Sequence, residues 1–264
     1  MHACTLSVFR LPLSIGALIA TRNLNLFLKV VILIFASQSG PALAALSFDG
    51  QNRFIMTGKR MKIDLVNESI ENALADVSVT WGDENNTKPL PLVVSQPLLR
   101  ISPSGRGSVD VIYQGVGFPS DRESYMLLNV LDVPTAPHDP NVLQIALRHR
   151  LKLFYRPQLK ETLNDAMATL NWESRGEGQM QITANNPSPY YLTLSDIKIV
   201  DSNGGDCAES VEHLMIPPFS TASLGKLDCN PAGLRFSVIS DAGYARPYRV
   251  ELVPGRNNFG SRQY

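Results

Sequence analysis

Few of the residues able to do covalent or metal chemistry stand close enough together in this sequence to do it. Beyond the first 44 residues the histidines are His138, His149 and His213. None has another histidine two positions away, the spacing that would set two ligands on one face of a strand. There is no GxSxG nucleophile elbow, no HExxH and no phosphate-binding glycine loop. Ser104-Gly105-Arg106-Gly107 has the composition of an anion-binding loop, but its flanks make a turn ahead of a strand the simpler reading. The sequence thus predicts a protein that is not an enzyme and that carries neither metal nor cofactor. Cys207 and Cys229 remain once Cys4 is set aside with the leader described below. They have no CxxC spacing and no nearby histidine cluster, which favours a structural disulfide over redox or metal chemistry. A bridge closing a loop of about 21 residues contributes on the order of 3 kcal/mol in an oxidising compartment.

The charge balance narrows the partners. Lys plus Arg and Asp plus Glu number 24 each in 264 residues, so no net field draws the chain to nucleic acid or to an anionic membrane. Any electropositive site must be local. Apolar residues make up 44% of the chain, with 18 Gly and 18 Pro, a balance that suits a folded, turn-rich protein rather than a disordered one.

The N-terminus reads as an export leader. After Arg22 and Lys29 comes the apolar run 30–36, then residues 37–41, then Ala42-Leu43-Ala44, the small-x-small form of a signal-peptidase site. Cleavage is expected after Ala44, making residues 1–44 a signal peptide. The apolar run is far short of the roughly 20 residues that span a bilayer, so no membrane insertion is expected after cleavage.

From Ala45 onward the dominant period is two. Met61, Ile63 and Leu65 alternate with Lys62 and Asp64, and Ala75, Val77, Val79 and Trp81 with Asp76, Ser78 and Thr80. That is the pattern of half-buried antiparallel strands. Further strands are expected over 107–113, 125–133, 142–155, 180–184, 191–200 and 248–253, with turns at 82–88, 102–107, 134–140 and 201–205. Helical periodicity is nearly absent. Strands with one apolar face must cover it with a second sheet, which argues for an all-β fold of sandwiches. About 100 residues fill one immunoglobulin-like sandwich, so the chain beyond the leader has length for two. Pro157 cannot continue a ladder, which places the boundary there: one domain over 45–157, the other over 158–264.

The stretch 142–155 stands out for its length. Leu143, Ile145, Leu147, Leu151 and Leu153 share one parity, while Gln144, Arg148, Arg150 and Lys152 take the other. An interior strand with one face on the core explains that pattern. So does a strand lying partly at a sheet edge and offering alternate side chains to an incomplete partner sheet.

A series of motifs in order favours the second reading. Ser-Val-Thr-Trp at 78–81, Pro-Leu-Leu-Arg-Ile-Ser-Pro at 97–103 and Asp-Arg-Glu-Ser-Tyr at 121–125 are followed by Asn-Val-Leu-Gln-Ile-Ala-Leu at 141–147 and Leu-Lys-Leu-Phe-Tyr-Arg-Pro at 151–157. Asn-Pro-Ser-Pro-Tyr-Tyr at 186–191 and Ile-Ser-Asp at 239–241 come after them. Together they resemble the PapD-like periplasmic pilus-assembly chaperones of the chaperone/usher pathway, over nearly the whole chain beyond the leader.

The resemblance implies two immunoglobulin-like sandwiches in an L-shaped arrangement with a cleft between them. It implies a chaperone that binds, folds and caps pilus subunits by lending them a strand, then delivers them to an outer-membrane usher. Leu143, Ile145 and Leu147 correspond to the donated residues. Arg53 and Lys152 correspond to the pair that holds the subunit's terminal carboxylate, with Arg60 the alternative to Arg53. Lys152 has the opposite parity to the donated residues, so an unbroken strand points it to the other face, and a bulge or bend would reconcile them. Glu123, Arg156 and Asp241 match a salt-bridged network between the domains, a structural role that fixes geometry more than it adds stability. The free protein is open to capping its own strand as a homodimer. A structural or adhesive pilus subunit is the competing reading, but residues 45–54 lack the uninterrupted alternating extension expected of one. A two-domain receptor fragment would carry a Cys-Trp-Cys signature, missing from the first domain.

Overall fold

The computed structural model describes residues 46–134, 144–176 and 180–263. The expected leader and Leu143 lie outside those residues. The first half of the described chain holds β1 (Leu46–Ser47), β2 (Arg53–Met56), β3 (Arg60–Asn67), β4 (Ala73–Trp81), β5 (Leu92–Val94), β6 (Leu98–Ile101), β7 (Arg106–Tyr113), β8 (Ser124–Asp132) and β9 (Leu147–Tyr155). One sheet runs β1-β3-β7-β5 and the other β2-β9-β8-β4-β6. Ile63, Leu65, Val77, Val109, Val111, Met126, Leu128 and Leu153 fill the space between them, as the alternation of apolar residues requires.

The N-terminal segment crosses from one sheet to the other. Asp49 and Gly50 both take left-handed backbone, φ 54° and 78°, in a tight turn that ends β1 beside β3 and releases β2 toward β9. Aspartate and glycine are the residue types that tolerate this conformation. The β2–β9 pairing is parallel, with Arg53 opposite Lys152 and Met56 opposite Tyr155.

The second half begins with α1 (Leu163–Thr169), followed by β10 (Asn171–Arg175), β11 (Met180–Asn186), β12 (Leu192–Val200), β13 (Val211–Ile216), β14 (Ser220–Leu227), β15 (Gly233–Ile239), β16 (Ala245–Glu251), β17 (Asn258–Phe259) and β18 (Ser261–Arg262). These strands form the sheets β14-β11-β10-β17 and β13-β12-β15-β16-β18 around a separate core that includes Trp172, Ile182, Leu194, Ile216, Leu234 and Phe236. Cys207 and Cys229 are bonded, their Cα atoms 5.9 Å apart, and tie the loop after β12 to the loop before β15. No helix among the described residues is long and apolar enough to cross a membrane.

Two expectations change. α1 was not legible as a helix, because seven residues make only two turns. Its start is fixed instead by a capping box in which the Thr162 side chain accepts from the Asp165 amide while Asp165 accepts from the Thr162 amide. The strand expected over 142–155 begins only at Leu147. Asp132, the last residue of β8, pairs with Leu147, and Pro134 follows two residues later, so the described β8–β9 ladder ends there.

Candidate functional site

The alternation along β9 divides its side chains between two jobs. Leu151, Leu153 and Tyr155 turn inward against the first core, while Lys152 and Phe154 face the other way. Pairing with β8 runs without a register shift from Leu147 to Tyr155, so the expected bulge is not there. Lys152 and Leu147, the donor candidate that lies within β9, fall on opposite faces of the strand. Ile145 is 74% exposed and Leu147 42%, both beyond the end of the first core, and Ile145 lies outside the ladder altogether. β2 accompanies β9 only from Lys152 onward, so among the described residues no strand lies along the second edge of β9 from Leu147 to Arg150.

Parallel pairing sets Arg53 and Lys152 side by side on the outward face. Arg53 is only 8% exposed, its guanidinium stacked 4.2 Å from the centroid of the Phe154 ring. Its Nη1 donates to Thr193 Oγ1 at 3.2 Å, while Nε and Nη2 are buried with no hydrogen-bond partner. Lys152 Nζ lies 2.6 Å from His213 Nε2. Burial, and then the neighbouring charge of Arg53, push the Lys152 ammonium down to about 8. Burial also pulls the Arg53 guanidinium below its usual value, against the attraction of Glu123 and Asp241. Two cations crowded out of water, one holding two unused donors, make a strongly anion-seeking arrangement. Arg60, the alternative from the sequence, is exposed and paired with Asp110 in the other sheet.

Thr193 and His213 come from the second sandwich. Cross-strand partners share a face, and β12 and β13 pair Thr193 with Met215 and Ser195 with His213, so all four lie on the face turned away from the core residues Leu192, Leu194 and Ile216. Each first-domain cation thus meets one side chain of the second domain. Sequence reasoning missed both residues. A threonine and a histidine 20 positions apart carry no local signal, and only the packing of the two sandwiches makes them neighbours.

A charged network that acts electrostatically on Arg53 rivets the two sandwiches. Arg156 Nε donates to Glu123 Oε1 at 2.7 Å, and Nη1 and Nη2 donate to the two oxygens of Asp241, each at 2.7 Å. Glu123 Oε2 accepts from the Tyr191 amide at 2.7 Å, and the Glu123 amide donates to the Pro189 carbonyl. The Glu123 side chain is fully buried, which pushes its carboxyl up against the opposing pull of Arg156 and the Tyr191 amide. Burial acts against the charge on Arg156 as well, but hydrogen bonds to Asp241 and the charge of Glu123 outweigh it and raise its pKa. Tyr125, Phe154 and Tyr191 pack beside the network with ring centroids 5.3 to 5.7 Å apart.

Two sandwiches with an exposed apolar strand end and two neighbouring cations suit a protein-binding module, and comparison with known proteins specifies which. The chain belongs to the pilus-assembly chaperone family: residues 50–160 match its "Pili and flagellar-assembly chaperone, PapD N-terminal domain" and residues 165–250 its "Pili assembly chaperone PapD, C-terminal domain". It is similar to chaperone protein LpfB of Salmonella typhimurium, 31% identical over 85% of this chain and 95% of that protein. It is also similar to chaperone protein FimB/FhaD of Bordetella pertussis, 29% identical over 83% of this chain and 96% of that protein. Among solved structures, the CupB2 chaperone of Pseudomonas aeruginosa matches with a TM-score of 0.63 at 27% identity, over 77% of this chain and 99% of its own. The family is not enzymatic, and the reading as a structural pilus subunit is not favoured.

Proposed function

We propose that this chaperone acts in the periplasm, holding pilus subunits by a lent strand and a clamped terminus until an outer-membrane usher receives them. The stretch from Leu143 through Ile145 to Leu147 completes the subunit's open sheet, and Arg53 with Lys152 grips the subunit's terminal carboxylate. Glu123, Arg156 and Asp241 hold the two sandwiches at the angle that brings Thr193 and His213 to those cations. In the same reading the leader is removed after Ala44, the two domains meet at Pro157, and a free chaperone covers its lent strand with a second copy.

One observation carries the proposal. Arg53 buries two unpartnered donors beside Lys152, and among the described residues neither cation is ion-paired within the chain. A buried donor without an acceptor costs about 1–3 kcal/mol, so the site is built for an acceptor that arrives from outside. At 4 Å and an effective dielectric of about 20, a carboxylate gains about 4 kcal/mol from each cation before desolvation. Burying three side chains such as Leu143, Ile145 and Leu147 adds roughly 5 to 9 kcal/mol gross. Anchoring one end fixes the register of a strand that could otherwise slide.

The test is co-expression with the pilus subunits encoded alongside this chain. The parent is expected to recover a subunit as a one-to-one complex, and Lys152→Ala and Ile145→Asp are each expected to lose it while remaining folded. Recovery undiminished by either substitution refutes the site.

A further inference from the structure

His213 has no part in the carboxylate clamp as argued so far, yet it makes the shortest contact at the site. Its Nε2 lies 2.6 Å from Lys152 Nζ, and it reaches there from β13 in the second sandwich, on the same face as Thr193, which holds Arg53. An ammonium in that geometry donates to the imidazole nitrogen, which leaves its two other protons free to turn toward an incoming anion. We propose that His213 is a positioning residue of the anion site: its unprotonated Nε2 accepts from the Lys152 ammonium while the site is empty, and when a bound carboxylate takes over the ammonium's protons that nitrogen gives up the bond and takes up a proton from water. This rests on the reading of Arg53 and Lys152 as a carboxylate clamp.

The charges around the imidazole support a proton-linked role. Burial, followed by the positive charge of Lys152, lowers the His213 pKa below its usual value. Arg53 stands behind Lys152 on β2. On β13 itself Glu212 alternates to the other face, and Asp196 and Lys198 of β12 and Lys226 of β14, strands that also pack on β13, are not among the groups that shift it. A carboxylate settling between Arg53 and Lys152 cancels the charge that disfavours imidazolium, so the bound-state pKa of His213 lies above its free-state value. The sign follows directly. Anion affinity is fully enhanced below the free-state pKa and the enhancement is lost as pH rises through the bound-state pKa. Lys152 adds a second limb in the same direction near pH 8, where the free protein begins to lose that proton.

The experiment uses the exported protein with sodium acetate as the probe, against sodium chloride at equal ionic strength, and follows the ring resonances of His213 and the Nζ resonance of Lys152 by NMR from pH 5 to 8. Acetate is expected to raise the His213 pKa, and its affinity to strengthen several-fold from pH 7.5 to 5.5, with tenfold per unit as the ceiling for one proton taken up. In His213→Gln, which keeps an acceptor for Lys152 but cannot titrate, affinity is expected to stay flat within about twofold over the same range. Acetate that perturbs Lys152 but leaves the His213 pKa unmoved, or an equal pH dependence in His213→Gln, overturns the inference while sparing the clamp. Acetate that perturbs neither residue overturns the clamp itself.

Discussion

Replacing Lys152 by methionine should make the free protein more stable and useless at once. Methionine keeps the length and apolar stem of the side chain and removes the charge. The ammonium is depressed from 10.5 to about 8, first by burial and then by Arg53. That depression corresponds to at most about 3.4 kcal/mol of penalty on the charged form. Partial exposure screens that figure to about 1–2 kcal/mol. For a chain of this size the melting temperature of Lys152→Met at pH 7 should then rise by roughly 2–8 °C. The pH dependence gives a second handle. The folded pKa lies below the unfolded one, so the penalty is fully present below pH 8 and fades as pH rises through 10.5, above which the lysine is neutral in both states. Thermal melts of parent and variant should therefore converge between pH 8 and 10.5. A variant that melts at or below the parent at pH 7, with a gap that does not change up to pH 10.5, would refute the claim that Lys152 is held charged at a cost for the sake of a ligand.

Arg156→Ala leaves the fully buried Glu123 carboxylate without its main partner and should cost about 3–5 kcal/mol in urea unfolding, whereas Glu123→Gln combined with Arg156→Met should recover much of it. Cys207→Ser with Cys229→Ser should cost about 3 kcal/mol, read by the same denaturation, with subunit capture by the folded variant unchanged. Gly243→Ala meets both a left-handed backbone, φ 80°, and the Asn52 side chain ahead of Arg53. It should lower stability by about 1–3 kcal/mol and weaken subunit capture along with it, measured by melting and by complex recovery. Ile145→Asp, at a 74% exposed position, should leave the melt of the free protein within about 0.5 kcal/mol of the parent.

The sheets were legible because their residues obey a period of two, and β3, β4, β7 and β8 fall within a residue or two of where the alternation puts them. β13, β14 and β15 escaped because Glu212-His213, Gly225-Lys226 and Arg235 interrupt the pattern, and because β14 alternates small residues that carry little hydrophobic signal. Arg53 and Lys152 could be named from motif resemblance, but their adjacency depends on a parallel pairing that no local pattern announces. No bulge separates Leu147 from Lys152, because the unbroken β8–β9 ladder leaves the two on opposite faces. Thr193 and His213 are visible only once two separately cored sandwiches are packed together.

The cation pair draws its parts from the whole length of the chain. Arg53 emerges early in synthesis, Lys152 much later, and Thr193, which steadies Arg53 across 140 positions, later still. If the proposed clamp holds the subunit tail, an incomplete or truncated polypeptide lacks a competent receptor for it. On that proposal only a molecule with both halves folded takes a client, and quality control is written into the route the backbone follows.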